Sequence, residues 1–83
     1  MQIAYLNILE KYLRKNRGNN KLKKEVDKLI ETLKNADWSN PEEIKLYRPD
    51  TDRVHSHGFY FFNISVDRTM ILIELEENQA TII

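Results

Sequence analysis

The chain has 83 residues and no cysteine, which makes it one small domain without disulfide staples, thiolate zinc sites or cysteine nucleophiles. No stretch approaches the roughly 20 apolar residues of a membrane span, and the start MQIAYLNILEKYLRK lacks the features of a secretory signal, so a reducing cytoplasm is expected. The zero net charge conceals a division: residues 1–36 carry nine Lys/Arg against four Asp/Glu, a surplus of +5, and residues 37–83 carry the reverse, −5.

Residues 3–16 are predicted as a first helix, because Tyr5, Leu6, Leu9, Tyr12 and Leu13 recur at helical spacing. NRGNN (16–20) ends it, with Gly18 as a C-terminal cap. Residues 21–36 predict a second helix whose apolar stripe is Leu22, Val26, Leu29, Ile30 and Leu33. The short connection makes the pair an antiparallel hairpin. Its basic surplus suits a phosphate backbone or an acidic partner, and equally an ordinary solvated helix face.

WSNPEEIKLYRPD then predicts a short third helix. Ser39 or Asn40 is placed to cap it, Pro41 suits the first turn, Glu42 and Glu43 favour the positive helix end, and Pro49 stops it. DTD is expected as a turn or loop. From His55 the period becomes two: Tyr60, Phe62, Ile64 and Val66 share one strand face, and His55, His57, Phe59 and Phe61 the other. VDR is expected to turn, TMILIELE (69–76) to form a second strand, ENQ to turn again and ATII (80–83) to begin a third. The fold class is therefore α+β, a helical hairpin packed on a small antiparallel sheet. The last strand has little length to pair, and a homodimer would hide its edge.

The stretch VHSHGFYFF (54–62) admits three readings. His55 and His57, about 7 Å apart on one side of a strand, with Asp50 and Asp52 nearby, are ligand types for zinc or manganese, but no longer spaced motif supports a metal. The residues are otherwise core and surface positions of an ordinary strand. Alternatively, aromatic rings on a strand stack RNA bases, histidine moves protons near neutral pH, and Arg48, Arg53 and Arg68 contact phosphate. RNA cleavage needs a base for the 2′-OH, an acid for the leaving oxygen and a cation for the charge on phosphorus.

Residues 36–83 resemble the HigB branch of the RelE-like toxins of bacterial type II toxin–antitoxin systems. The resemblance rests on Trp38, Asn40, Pro41, Glu42, Ile44 and Lys45, then Phe62, Asn63 and Ile64, then Arg68 after the turn. The first 35 residues match only in being two helices. The resemblance implies an mRNA interferase that acts on messages, often on translating ribosomes. It also implies neutralisation by a cognate antitoxin protein, with no metal and no cofactor. His55, His57 and Arg68 become the catalytic candidates, and Lys45, Arg48, Arg53, Phe59 and Phe61 the RNA contacts. Trp38 is expected in the core. In such toxins a Thr-His-x-x-Tyr segment follows the strand matching ATII. This sequence closes at Ile83, so the alternative expected from it is a truncated, non-catalytic module that binds the antitoxin or another protein. An unrelated small adaptor is the third reading.

Overall fold

The computed structural model describes residues 1–54 and 58–83. Eight elements follow in chain order: β1 (Gln2–Ala4), α1 (Leu6–Lys15), α2 (Asn20–Asn35), α3 (Pro41–Tyr47), β2 (Asp52–Arg53), β3 (Phe59–Ile64), β4 (Asp67–Glu74) and β5 (Gln79–Ile82). The strands form one mixed sheet in the order β1-β5-β4-β3-β2. The fold is α+β, with the helical hairpin packed on the sheet, as the two periodicities require.

The helices begin and end for local reasons. The Asn19 side chain accepts from the Leu22 N–H at 3.1 Å and starts α2. Asn40 does the same for α3, accepting from the Glu43 N–H at 3.1 Å, with Pro41 and two glutamates in the first turn. Leu22, Val26, Leu29 and Leu33 of α2 are fully covered. They meet Tyr60, Phe62, Ile64, Ile71, Ile73 and Ile82 from alternate positions of β3, β4 and β5, with Trp38 and Ile44 in the same core. Each such side chain contributes roughly 1.5–3 kcal/mol by leaving water.

Four expectations are corrected. The first helix does not begin at residue 3: Gln2–Ala4 is a strand that pairs in parallel with Gln79–Thr81. Its partner lies at the far end of the chain, so no local periodicity reports it. Tyr5 takes a left-handed conformation (φ 61°) between strand and helix and lies off the core. Val66 does not continue the Tyr60 face. It is 92% exposed in a two-residue turn with Ser65, because Ile64 already pairs with Asp67. Asp52–Arg53 is not loop but a short strand opposite Tyr60 and Phe61. Finally, the last strand is no edge, since β5 is paired by β4 on one side and β1 on the other. The edges are β1 and β2, and the argument for a dimer from an exposed last strand does not hold.

One stabilising contact has no sequence signature. The α-amino group of Met1 donates to the carbonyl oxygens of Leu33, Lys34 and Ala36 at 3.0, 3.2 and 3.1 Å. A cation thus meets the negative end of α2 and satisfies carbonyls that the helix leaves unpaired.

Gly58 opens β3 under two constraints. Its φ is +89°, and a Cβ there would sit 2.7 Å from the Ile73 carbonyl oxygen, while its own carbonyl accepts from the Ile73 N–H at 2.8 Å. Backbone opposes backbone, so neither side yields cheaply. Gly58→Ala is expected to cost about 2 kcal/mol or more and to lower Tm by roughly 8–16 °C. Thermal melts followed by circular dichroism check this.

Candidate functional site: the open face of the sheet

All three helices contribute to the core side of the sheet, and the opposite face carries the alternate residues. Cross-strand pairing sets Phe59 beside Leu72 and Leu72 beside Thr81, Phe61 beside Met70, and Asn63 beside Arg68. These residues are half-buried except for Arg68, which is exposed. A period of two in FYFFNI and in TMILIE writes this face directly into the sequence. Phe59 and Phe61 therefore lie opposite the Tyr60 and Phe62 side, as the alternation predicts.

Arg68 is the cation of this face. Its guanidinium carbon lies 5.8 Å from the centroid of the Phe61 ring, and Nη2 lies 3.1 Å from Asp52 Oδ2. Asp52 reaches this position because β2 places it directly opposite Phe61. Both partners of the ion pair are more than half exposed, at 55% and 57%. Such a pair is worth about 0–1 kcal/mol and is exchangeable for a better anion. A phosphate, which accepts two parallel N–H bonds from a guanidinium, is such an anion. The sequence reading left out Asp52 as partner of Arg68. The signal for it is the pairing register, which depends on a strand too short to see.

The remaining predicted contacts separate into two groups. Arg53 faces the α3 side, opposite Tyr60, and lines a shallow groove of about 300 Å³ with Pro41, Glu42, Lys45, Thr51 and Asp52. Lys45 Nζ in that groove donates to the Thr51 carbonyl at 2.7 Å. Arg48 belongs to neither surface. It is 9% exposed. Its Nε and Nη2 donate to the Asp50 carboxylate at 3.3 and 3.4 Å, Nη2 donates to the Asn63 carbonyl at 3.0 Å, and the guanidinium lies 5.7 Å from the Phe62 ring. β2 stops opposite Phe61, so the Arg48 side chain takes the next ladder position on the edge of β3. Its fork satisfies the backbone there as a strand would. Its Nε and Nη2 donors are thereby committed within the protein, and the side chain is part of the frame.

His55 and His57, the two proton-transfer candidates, lie outside the described residues. On either side of them, Val54 N–H donates to the Phe59 carbonyl at 2.9 Å and Gly58 is bonded to Ile73. Among the described residues no group of three His, Cys, Asp or Glu is arranged to hold a metal. Asp50 and Asp52, the carboxylates considered as ligands, each face an arginine.

Among the described residues two titrations are perturbed. Burial pushes the Asp50 carboxyl up, but the Arg48 hydrogen bonds and charge, with smaller help from its own N–H and Asn63, outweigh it and leave the pKa below the ordinary value. A carboxyl lowered in the folded state contributes stability that is complete above the unfolded value near 4 and disappears as pH falls through the lower folded value. The stability advantage of the native chain over Asp50→Asn is therefore expected to hold at pH 6 and to decline as pH falls below the unfolded value near 4, which denaturant titrations at several pH values measure. Tyr12 donates its hydroxyl to the Asp67 carboxylate, and that hydrogen bond raises its pKa. The contact ties α1 to the turn that presents Arg68.

A family model described as HigB toxin, the RelE-like toxic component of a toxin–antitoxin system, matches residues 22–83, from the second helix through the last strand. No curated protein shows significant sequence similarity to the chain.

Proposed function

Because the chain belongs to the HigB toxin family, the RelE-like toxic components of toxin–antitoxin systems, we propose that it is an endoribonuclease that cuts mRNA without a metal, on messages engaged by the ribosome in the cytoplasm. The cognate antitoxin follows from the family. What supports the RNA reading is the Arg68–Phe61–Asp52 arrangement on the open sheet face, which joins a displaceable cation to an aromatic surface. In this reading Phe59 and Phe61 stack bases. Lys45 and Arg53 contact the RNA backbone at the α3 margin. Arg48 holds the edge of β3.

The chemistry needs one proton removed and one returned. One of His55 and His57 takes the proton of a 2′-OH, and the oxygen attacks the adjacent phosphorus. The 5′-oxygen leaves with a proton from the other histidine, and a 2′,3′-cyclic phosphate remains. Arg68 meets the extra negative charge on the phosphoryl oxygens as the five-coordinate state forms. Induced expression tests the reading: growth should stop, with loss of intact messages, and His57→Ala should relieve both.

A second reading is a non-catalytic module that binds the antitoxin. It is favoured by the prior engagement of two of the cations, since Lys45 and Arg48 hold backbone carbonyls of the protein. Antitoxin binding with full growth on expression would select it.

A further inference from the structure

A groove of about 350 Å³ runs between α1 and the start of β4, and Arg68 is shared between it and the open face. Leu9, Ile64 and Met70 supply the apolar part of its lining, beside the polar side chains of Asp67, Arg68 and Thr69. Ile8 and Tyr12 form its wall on α1. Among the described residues Asp67 is the acidic side chain of its lining, and it already accepts the Tyr12 hydroxyl.

The far rim is set by helical spacing. Ile8 and Tyr12 are four residues apart and stack on one face, at the boundary between the core side, marked by buried Leu9, and the solvent side. Lys11 and Lys15 fall three residues after Ile8 and Tyr12, respectively, on the solvent side, and both are exposed. The groove thus has a tyrosine-bearing interior of mixed polarity, with Lys11 and Lys15 on one rim and exposed Arg68 on the other.

Resting on the RNA reading above, we propose that this groove is a second nucleotide subsite, which holds a base against Tyr12 and Ile8 and its flanking phosphates between Lys11, Lys15 and Arg68. Three features select a single-stranded nucleotide. Each rim carries a cation, as phosphates on both sides of a base require. The α1 wall offers an aromatic ring, Tyr12, beside apolar Ile8 and Leu9, as stacking requires. The groove is continuous through Arg68 with the face carrying Phe59 and Phe61, so one strand spans both. Ile8, Lys11, Tyr12 and Lys15 all precede residue 22, where the family match begins.

A 2′-O-methyl oligouridine of about ten nucleotides tests this without cleavage. Its affinity for the native chain and for the Lys11→Gln/Lys15→Gln double variant is measured by fluorescence anisotropy across a salt series. Each lost phosphate contact on a single strand reduces the slope of log K against log salt by about 0.7. The double variant should lose about 1.4 in slope, bind several-fold more weakly near 0.1 M salt, and melt at the native temperature. Photocrosslinking of a 4-thiouridine probe should label Tyr12. Native affinity and slope in the double variant, or crosslinks confined to Phe59 and Phe61, overturn the subsite and leave the RNA face standing. No binding of the oligonucleotide to the native chain overturns both. An acidic peptide that protects this groove from hydrogen exchange where the oligonucleotide does not would make it a protein contact instead.

Discussion

Arg68→Ala is expected to reduce RNA cleavage by about 100-fold or more while leaving the fold intact. Loss of one preorganised donor to a developing oxyanion costs about 10²–10³ in rate, and a phosphoryl group in mid-transfer carries more charge than a carbonyl does. The fold should survive because the Asp52 pair is more than half exposed on both sides and contributes at most about 1 kcal/mol. Arg68→Lys should recover only part of the activity, since an ammonium keeps the charge but loses the planar fork and the stacking on Phe61. Asp52→Asn should act in the opposite sense. Releasing the guanidinium from its carboxylate should tighten RNA binding at low salt. Single-turnover cleavage rates beside thermal melts separate these effects. An Arg68→Ala variant with native rates would remove Arg68 from the chemistry.

Phe62→Ala is expected to be the most damaging substitution in the core. Phe62 is the largest of the fully buried side chains and has no exposed surface. It sits on β3 opposite Thr69 of the central strand β4, close to the Tyr60 ring at 6.5 Å and the Arg48 guanidinium at 5.7 Å. Truncation of a buried phenylalanine costs about 3–5 kcal/mol. It would also take the ring away from Arg48, whose charge has little water to turn to. A domain of this size has a total stability near the low end of about 5–15 kcal/mol, so the variant should be largely unfolded at 37 °C. Phe62→Leu keeps most of the volume and should remain folded. Urea unfolding at 25 °C distinguishes them, and a Phe62→Ala midpoint close to native would mean that the sheet does not depend on this ring.

The sequence carried the amphipathic patterns far better than the long-range pairings. Leu22, Val26, Leu29 and Leu33 mark α2 in any window, and Asn40-Pro41-Glu42-Glu43 marks the start of α3, because helix stripes and caps are local. The two faces of β3 were equally legible, so Phe59 and Phe61 could be assigned to the open face from alternation. β1 could not be read, because Gln2–Ala4 is a strand only by virtue of Gln79–Thr81. Nor could β2, two residues long, and with it the register that sets Asp52 against Arg68. Arg48 shows the limit most clearly. In the sequence it is one of three arginines in a toxin-like segment, and nothing local distinguishes it from Arg68. Its burial follows from β2 stopping short, which leaves the Asn63 carbonyl for a side chain to satisfy. The same distance effect hides the Tyr12–Asp67 contact, which brings the first helix beside Arg68.

The central claim is tested most directly by RNA cleavage with purified, folded protein, with and without translating ribosomes, and with chelator present throughout. The account predicts cleavage that persists in chelator, leaves 2′,3′-cyclic phosphate ends, and falls sharply in His57→Ala and Arg68→Ala. Intact RNA under both conditions, from protein that melts cooperatively and binds its antitoxin, would contradict it and leave the chain as a binding module.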